Sequence, residues 1–148
     1  MRLFTGIELG APLRAAVAET TVRLRQHLED RIPDLQARWI PSGNLHLTLA
    51  FIGEVADMRV PIVASGLERG FATAAFNLEL AGAGAFPPGG PPKVVWIGVS
   101  QGAAPLRALH GEIVGRLGGL GLEFESRPYS PHLTVARLRD VRGLSARA

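Results

Sequence analysis

Apolar and polar positions along the chain follow two periods, and the changes of period divide it into elements. Residues 3–9 alternate apolar residues with Thr5 and Glu8, which predicts a first strand. Gly10-Ala11-Pro12 breaks it, and proline suits a helix start. Residues 13–28 place Val17, Leu24 and Leu28 among Arg and Glu, the pattern of an amphipathic helix, which Pro33 stops. Arg38-Trp39-Ile40 is short and extended before Pro41. Ser42-Gly43-Asn44 has turn chemistry, and an apolar strand then runs to about Ile52, closed by Gly53.

A helix is expected over residues 60–67, entered near Asp57 with Pro61 in its first turn. Residues 76–80 alternate as a strand. Residues 82–92 are so rich in Gly and Pro that composition predicts a loop. Residues 94–99 form a strong apolar strand that needs a sheet, so the loop reads as a surface loop able to move, not as a linker between domains. A second helix of the first kind follows over residues 105–117, a short strand region starts at Phe124, and a last strand spans about residues 132–138. Helices mixed with hairpin-like strands predict an α+β fold. The order of elements nearly repeats, which predicts two similar lobes.

The strands that open at His46 and His132 carry the same segment: His46-Leu47-Thr48-Leu49-Ala50-Phe51 and His132-Leu133-Thr134-Val135-Ala136-Arg137. In a strand, residues i and i+2 share a face. Each copy therefore presents an imidazole beside a hydroxyl, with the intervening Leu turned into a core. With four His and six Thr in 148 residues, two chance copies of this spacing have odds on the order of one in a hundred. Two matched polar pairs on rigid strands point to a site.

At 148 residues, 47% hydrophobic and 20% charged, the chain is sized for one domain with a substantial core. It has no cysteine, which excludes disulfides and thiolate metal sites and fits a reducing compartment. The first residues are charged too early for a signal peptide, and no apolar run approaches the ~20 residues of a membrane span, so a cytoplasmic protein is expected. Net charge is +3, and fifteen of the sixteen cations are Arg, whose planar fork suits phosphate. Nucleotide composition bias would produce the same excess, so charge serves only as support.

Two imidazoles facing each other suit acid–base work near neutral pH, because an unperturbed histidine titrates near ~6.5. The two hydroxyls add donors for developing negative charge. Neither copy has Asp or Glu within two residues, unlike a metal site. No G-x-S-x-G nucleophile elbow and no G-x-x-x-x-G-K-[ST] phosphate loop occurs. Metal-free phosphoryl transfer fits best. His27 and His110 fall in predicted helices and are read as solvated, Trp39 and Trp96 as core. Phe86 or Trp96 could flank the site, and Arg127 and Tyr129 could line its mouth.

On these residues the chain resembles the two-histidine phosphoesterase superfamily, whose signature is two H-x-T elements. Within it the RNA 2′,3′-cyclic phosphodiesterases, historically called 2′-5′ RNA ligases, are the nearest match. The resemblance rests on Arg2-Leu3-Phe4, on residues 46–54, on Phe86-Pro87 followed by Val94-Val95-Trp96, and on residues 131–137. It implies a single bilobal α+β domain over residues 1–148. Each lobe would be an antiparallel sheet with helices on its outer face, and the cleft between the sheets would be the active site. It implies hydrolysis of RNA 2′,3′-cyclic phosphate ends to 2′-phosphates, without cofactor or metal, by a monomer that does not associate with membranes. His46 would be the general acid for the leaving 3′ oxygen and His132 the general base for water. Thr48, Thr134 and Arg137 would bind the phosphate, and Phe51 would contact the base.

Two departures set further expectations. Arg137 and Phe51 stand five residues after their histidines, an odd offset, so a regular strand would turn both away from the histidine face. A bulge or a strand end would be needed to bring them back. Family members continue after the second motif with a helix and a strand, whereas only residues 138–148 follow here, so one lobe is expected to lack an edge strand unless a partner supplies it. The alternative reading is a module of the same fold that binds a nucleotide or RNA end without turnover.

Overall fold

The computed structural model describes residues 1–89, 91–122, 124 and 128–139. In chain order these form β1 (Arg2–Glu8), α1 (Ala11–Arg31), β2 (Gln36–Trp39), β3 (His46–Glu54), α2 (Val60–Leu67), β4 (Glu79–Phe86), β5 (Val94–Gln101), α3 (Ala103–Gly118) and β6 (His132–Arg139). β1 pairs with β3, and a four-stranded sheet has the order β2-β6-β5-β4. β6 is antiparallel to both its neighbours. Met1 O accepts from Val55 N, and Thr5 Oγ1 donates to Ala50 O, so β1 and β3 also run antiparallel. The architecture is α+β, as expected. Among the described residues, no helix is long and apolar enough to cross a membrane.

Packing divides the chain into two units, each drawn from three stretches, so the division does not follow the two halves of the sequence. One unit comprises Met1–Ile7, Thr48–Leu80 and Val99–Pro131. Its core holds Leu49, Ala50, Val55, Val63, Leu106, Ile113 and Leu117. α2 lies against α3. Side chains of α3 also fasten the loop after α2. Glu112 accepts from the Ala72 and Thr73 amides and the Thr73 hydroxyl. Arg116 donates to the Arg69 and Gly70 carbonyls and stacks over Phe71, 4.0 Å from the ring centre.

The other unit comprises Glu8–Leu47, Ala81–Gly98 and His132–Ala148. α1 starts after an extended Gly10 with Pro12 in its first turn. Its Thr20 and Thr21 hydroxyls return to the Ala16 and Val17 carbonyls. It ends where Pro33 forces Ile32 out of the helical region, to φ −131° and ψ 80°. Leu13, Val17, Leu24 and Leu28 form its covered stripe, with Val17 fully buried. The core continues through Leu45, Leu47, Val95, Ile97, Leu133, Val135 and Ala136.

One predicted boundary is corrected. Residues 76–78 are not in a strand, and β4 instead runs through the glycine-rich segment to Phe86. The reason lies on β5. A Cβ at Gly84 would stand 2.3 Å from the Trp96 ring, so the segment is a strand whose missing side chains admit an indole. The loop shrinks to the few residues before β5. Phe124 is not in a strand, and Arg127 and residues 140–148 lie outside the described residues.

Candidate active site

β3 and β6 present their two copies in the same way. His46, Thr48, His132 and Thr134 are half-buried, and Leu47, Leu49, Leu133 and Val135 are buried between and after them. Alternation then breaks at the same position in both strands: Ala50 and Ala136 are buried as well, and Phe51 and Arg137 are exposed.

In β6 the break has a visible cause. Trp96 pairs with Thr134 but Val95 pairs with Ala136, so Val135 is an extra residue opposite β5. This is a β-bulge, and it puts Val135 and Ala136 on the same buried side. Arg137 returns to the face of His132 and Thr134. The odd offset of five is thereby converted to an even one. Phe51 stands at the same step of the same burial pattern in β3, 57% exposed, with the Arg2 guanidinium 5.4 Å from its ring centre.

Each histidine has a local anchor. His46 Nδ1 lies 2.9 Å from the Asn44 carbonyl oxygen, in the turn that enters β3. A carbonyl only accepts, so Nδ1 carries the proton of that hydrogen bond. His132 pairs with Gly98 on β5 and meets the Phe86 ring edge-on, with centres 5.0 Å apart. Phe86 in turn packs on Trp96 at 5.3 Å. The two aromatic residues near the second motif thus form a wall beside its imidazole.

His110 is not solvated, contrary to the reading from its helix. Its Nδ1 bonds the Leu49 carbonyl, and its ring stacks on Tyr129 with centres 4.4 Å apart. Tyr129 donates its hydroxyl to the Thr48 carbonyl at 2.7 Å. The two rings therefore fix the backbone of the first motif. Nothing local in the sequence signals this, because the partners are separated by 61 and 81 positions. His27 is exposed on α1, as expected. Among the described residues, no three His, Asp or Glu side chains are grouped to hold a metal ion.

A cavity of about 270 Å³ opens beside α1, lined by Thr21, Arg25, Trp39 and Ser42 among others. None of the predicted site residues lines it, though Leu45, immediately before His46, does.

Residues 12–147 match the family model of the 2′-5′ RNA ligase superfamily. The chain is 37% identical to an RNA 2′,3′-cyclic phosphodiesterase of Aeropyrum pernix over 138 residues, 92% of this chain and 69% of that protein. Among solved structures it is similar to a protein of Thermus thermophilus, with TM-score 0.70 and 30% identity, covering 93% of this chain and 74% of that one. It is also similar to E. coli LigT complexed with 3′-AMP, with TM-score 0.71 and 32% identity, covering 94% and 72%.

Proposed function

The chain belongs to the 2′-5′ RNA ligase superfamily, and from that premise we propose that it hydrolyses the 2′,3′-cyclic phosphate ends of RNA to 2′-phosphates by metal-independent acid–base catalysis between two histidines. Relatives at 37% and 30% identity carry the name RNA 2′,3′-cyclic phosphodiesterase. The observation that carries the reading is the matched presentation of the two motifs. Each puts a half-buried imidazole, a half-buried hydroxyl and, past a break in alternation, one exposed side chain on a single strand.

In this mechanism water attacks phosphorus opposite the 3′ oxygen. His132 takes the proton of the attacking water as the new P–O bond forms. The P–O3′ bond breaks, and His46 gives its Nε2 proton to the departing 3′ oxygen. The products are a 2′-phosphate and a free 3′-hydroxyl. The Nδ1 bond to Asn44 keeps the His46 ring oriented through the transfer. Thr48 and Thr134 donate to the nonbridging phosphate oxygens, and Arg137 supplies the charge-assisted donors. Phe51 stacks on the terminal base, a common mode for unpaired RNA ends. The donor set is imidazole, hydroxyl and guanidinium, which suits direct phosphate binding.

The test is incubation of the protein with a nucleoside 2′,3′-cyclic phosphate in EDTA, with the product isomer identified. Turnover to the 2′-phosphate alone is expected. A 3′-phosphate product would reverse the assignment of the leaving oxygen. Tight binding of a 2′-nucleotide without turnover would make the chain a binding module.

A further inference from the structure

On the sheet face that carries His132 and Thr134, the strand pairing places Arg38 of β2 directly opposite Arg137 of β6, and Gln36 opposite Arg139. Residues two apart on a strand share a face, so Arg38, Arg137 and Arg139 form one cationic group. Facing partners in such a sheet have Cβ atoms about 4.5–5.5 Å apart and diagonal ones about 7–8 Å, and like charges directly opposite are destabilising. All three side chains are exposed. Between described residues, none of the three takes part in an ion pair. β2 is an edge strand, and one charge on it would suffice to discourage edge pairing. A second guanidinium facing the first does not serve that purpose. Two guanidiniums side by side suit two adjacent anionic groups, such as successive phosphates of one strand.

We propose that Arg38 and Arg139 extend the Arg137 phosphate site into a track for the RNA backbone, with Arg38 binding the phosphodiester next to the cyclic end. The proposal rests on the reading above for the identity of the substrate. A cyclic phosphate is the 3′ terminus of its strand, so every other phosphate lies on its 5′ side. His132 opens β6 and Arg139 closes it. The track therefore leads from the reacting end toward the 5′ nucleotides. Guanidinium forks bind phosphate without reading sequence, so the track confers affinity for chain length and not for particular bases.

The experiment compares kcat/KM for a nucleoside 2′,3′-cyclic phosphate and for a pentanucleotide ending in the same group, using wild type, Arg38→Gln and Arg38→Lys. The Gln variant should lose about tenfold more on the pentanucleotide than on the mononucleotide, the scale of one charged hydrogen bond, and Lys should recover most of the difference. In parallel, the affinity for a pentanucleotide with a 2′-phosphate end is measured against salt. The slope of log affinity on log salt should fall by about 0.7 when Arg38 is lost, the value for one phosphate contact on a single strand. Equal loss on both substrates, or no loss on either, would overturn the track. If wild type turns over neither substrate, the hydrolytic reading fails, and the salt slope alone then decides the track: an unchanged slope in the Gln variant rejects it.

Discussion

The hydroxyl of Tyr129 donates to the carbonyl oxygen of Thr48 across 2.7 Å. Burial pushes the Tyr129 phenol up to about 12, from an ordinary value of 10.0. Tyr129 is the chain's one tyrosine, so tyrosinate absorbance reports it alone. The folded protein should titrate well above the denatured one. The folded value is raised, so the unfolded state loses its proton first, and stability should be intact below pH ~10 and fall as pH rises toward ~12. Tyr129→Phe should remove that alkaline loss, cost about 1 kcal/mol at neutral pH and lower kcat by loosening the Thr48 backbone. Denaturant melts across pH check both points.

Gly84 and Trp96 make the second prediction. A Cβ at residue 84 meets the indole at 2.3 Å, so Gly84→Ala should destabilise by about 1–3 kcal/mol, the usual range for overpacking. Trp96 also carries Phe86, which lines His132, so activity should fall in the fraction that remains folded. Denaturation midpoints and the rate per folded molecule separate the two effects.

These two relationships show where the sequence was legible and where it was not. β3 and β6 could be read because each is an apolar run with its own period, and α2 because Pro61 and the apolar spacing mark it locally. β4 is hidden in the sequence because Gly82–Gly84 argue for a loop in isolation, and only the facing Trp96 makes glycine the right residue for a strand. The need for a bulge was visible in the odd offset of Arg137. Its location at Val135 was not, because register is a property of the β5 pairing. The roles of His110 and Tyr129 were hidden for the same reason: each acts on a backbone far away in sequence.

Arg137 supplies the third prediction. Arg137→Ala should lower kcat/KM for a nucleoside cyclic phosphate by about 10–100-fold, the range for hydrogen bonds to a charged group. Arg137→Lys should recover only part, because a point charge does not reproduce the planar fork. Steady-state kinetics with the three proteins checks this, and full recovery by Lys would remove the bidentate role.

The hydroxyls should matter less than the imidazoles. Thr48→Ala and Thr134→Ala should each lower kcat by about tenfold, one neutral donor's worth, with KM changed little. Thr→Ser at either position should restore the rate, since only the hydroxyl is required. The readout is kcat and KM for all four variants on one substrate.

The central claim is that His46 and His132 act as acid and base on the same phosphate, and the pH dependence of kcat/KM in EDTA tests it most directly. Wild type should trace a bell, because the reaction needs one group protonated and the other neutral. His46→Ala and His132→Ala should each lose about 10²–10⁴-fold, and the double variant should lose less than the product. The acid limb, which reports the base, should vanish in His132→Ala, and the alkaline limb, which reports the acid, in His46→Ala. Variants that stay folded and keep the wild-type rate, or an unchanged bell in either of them, would contradict the account.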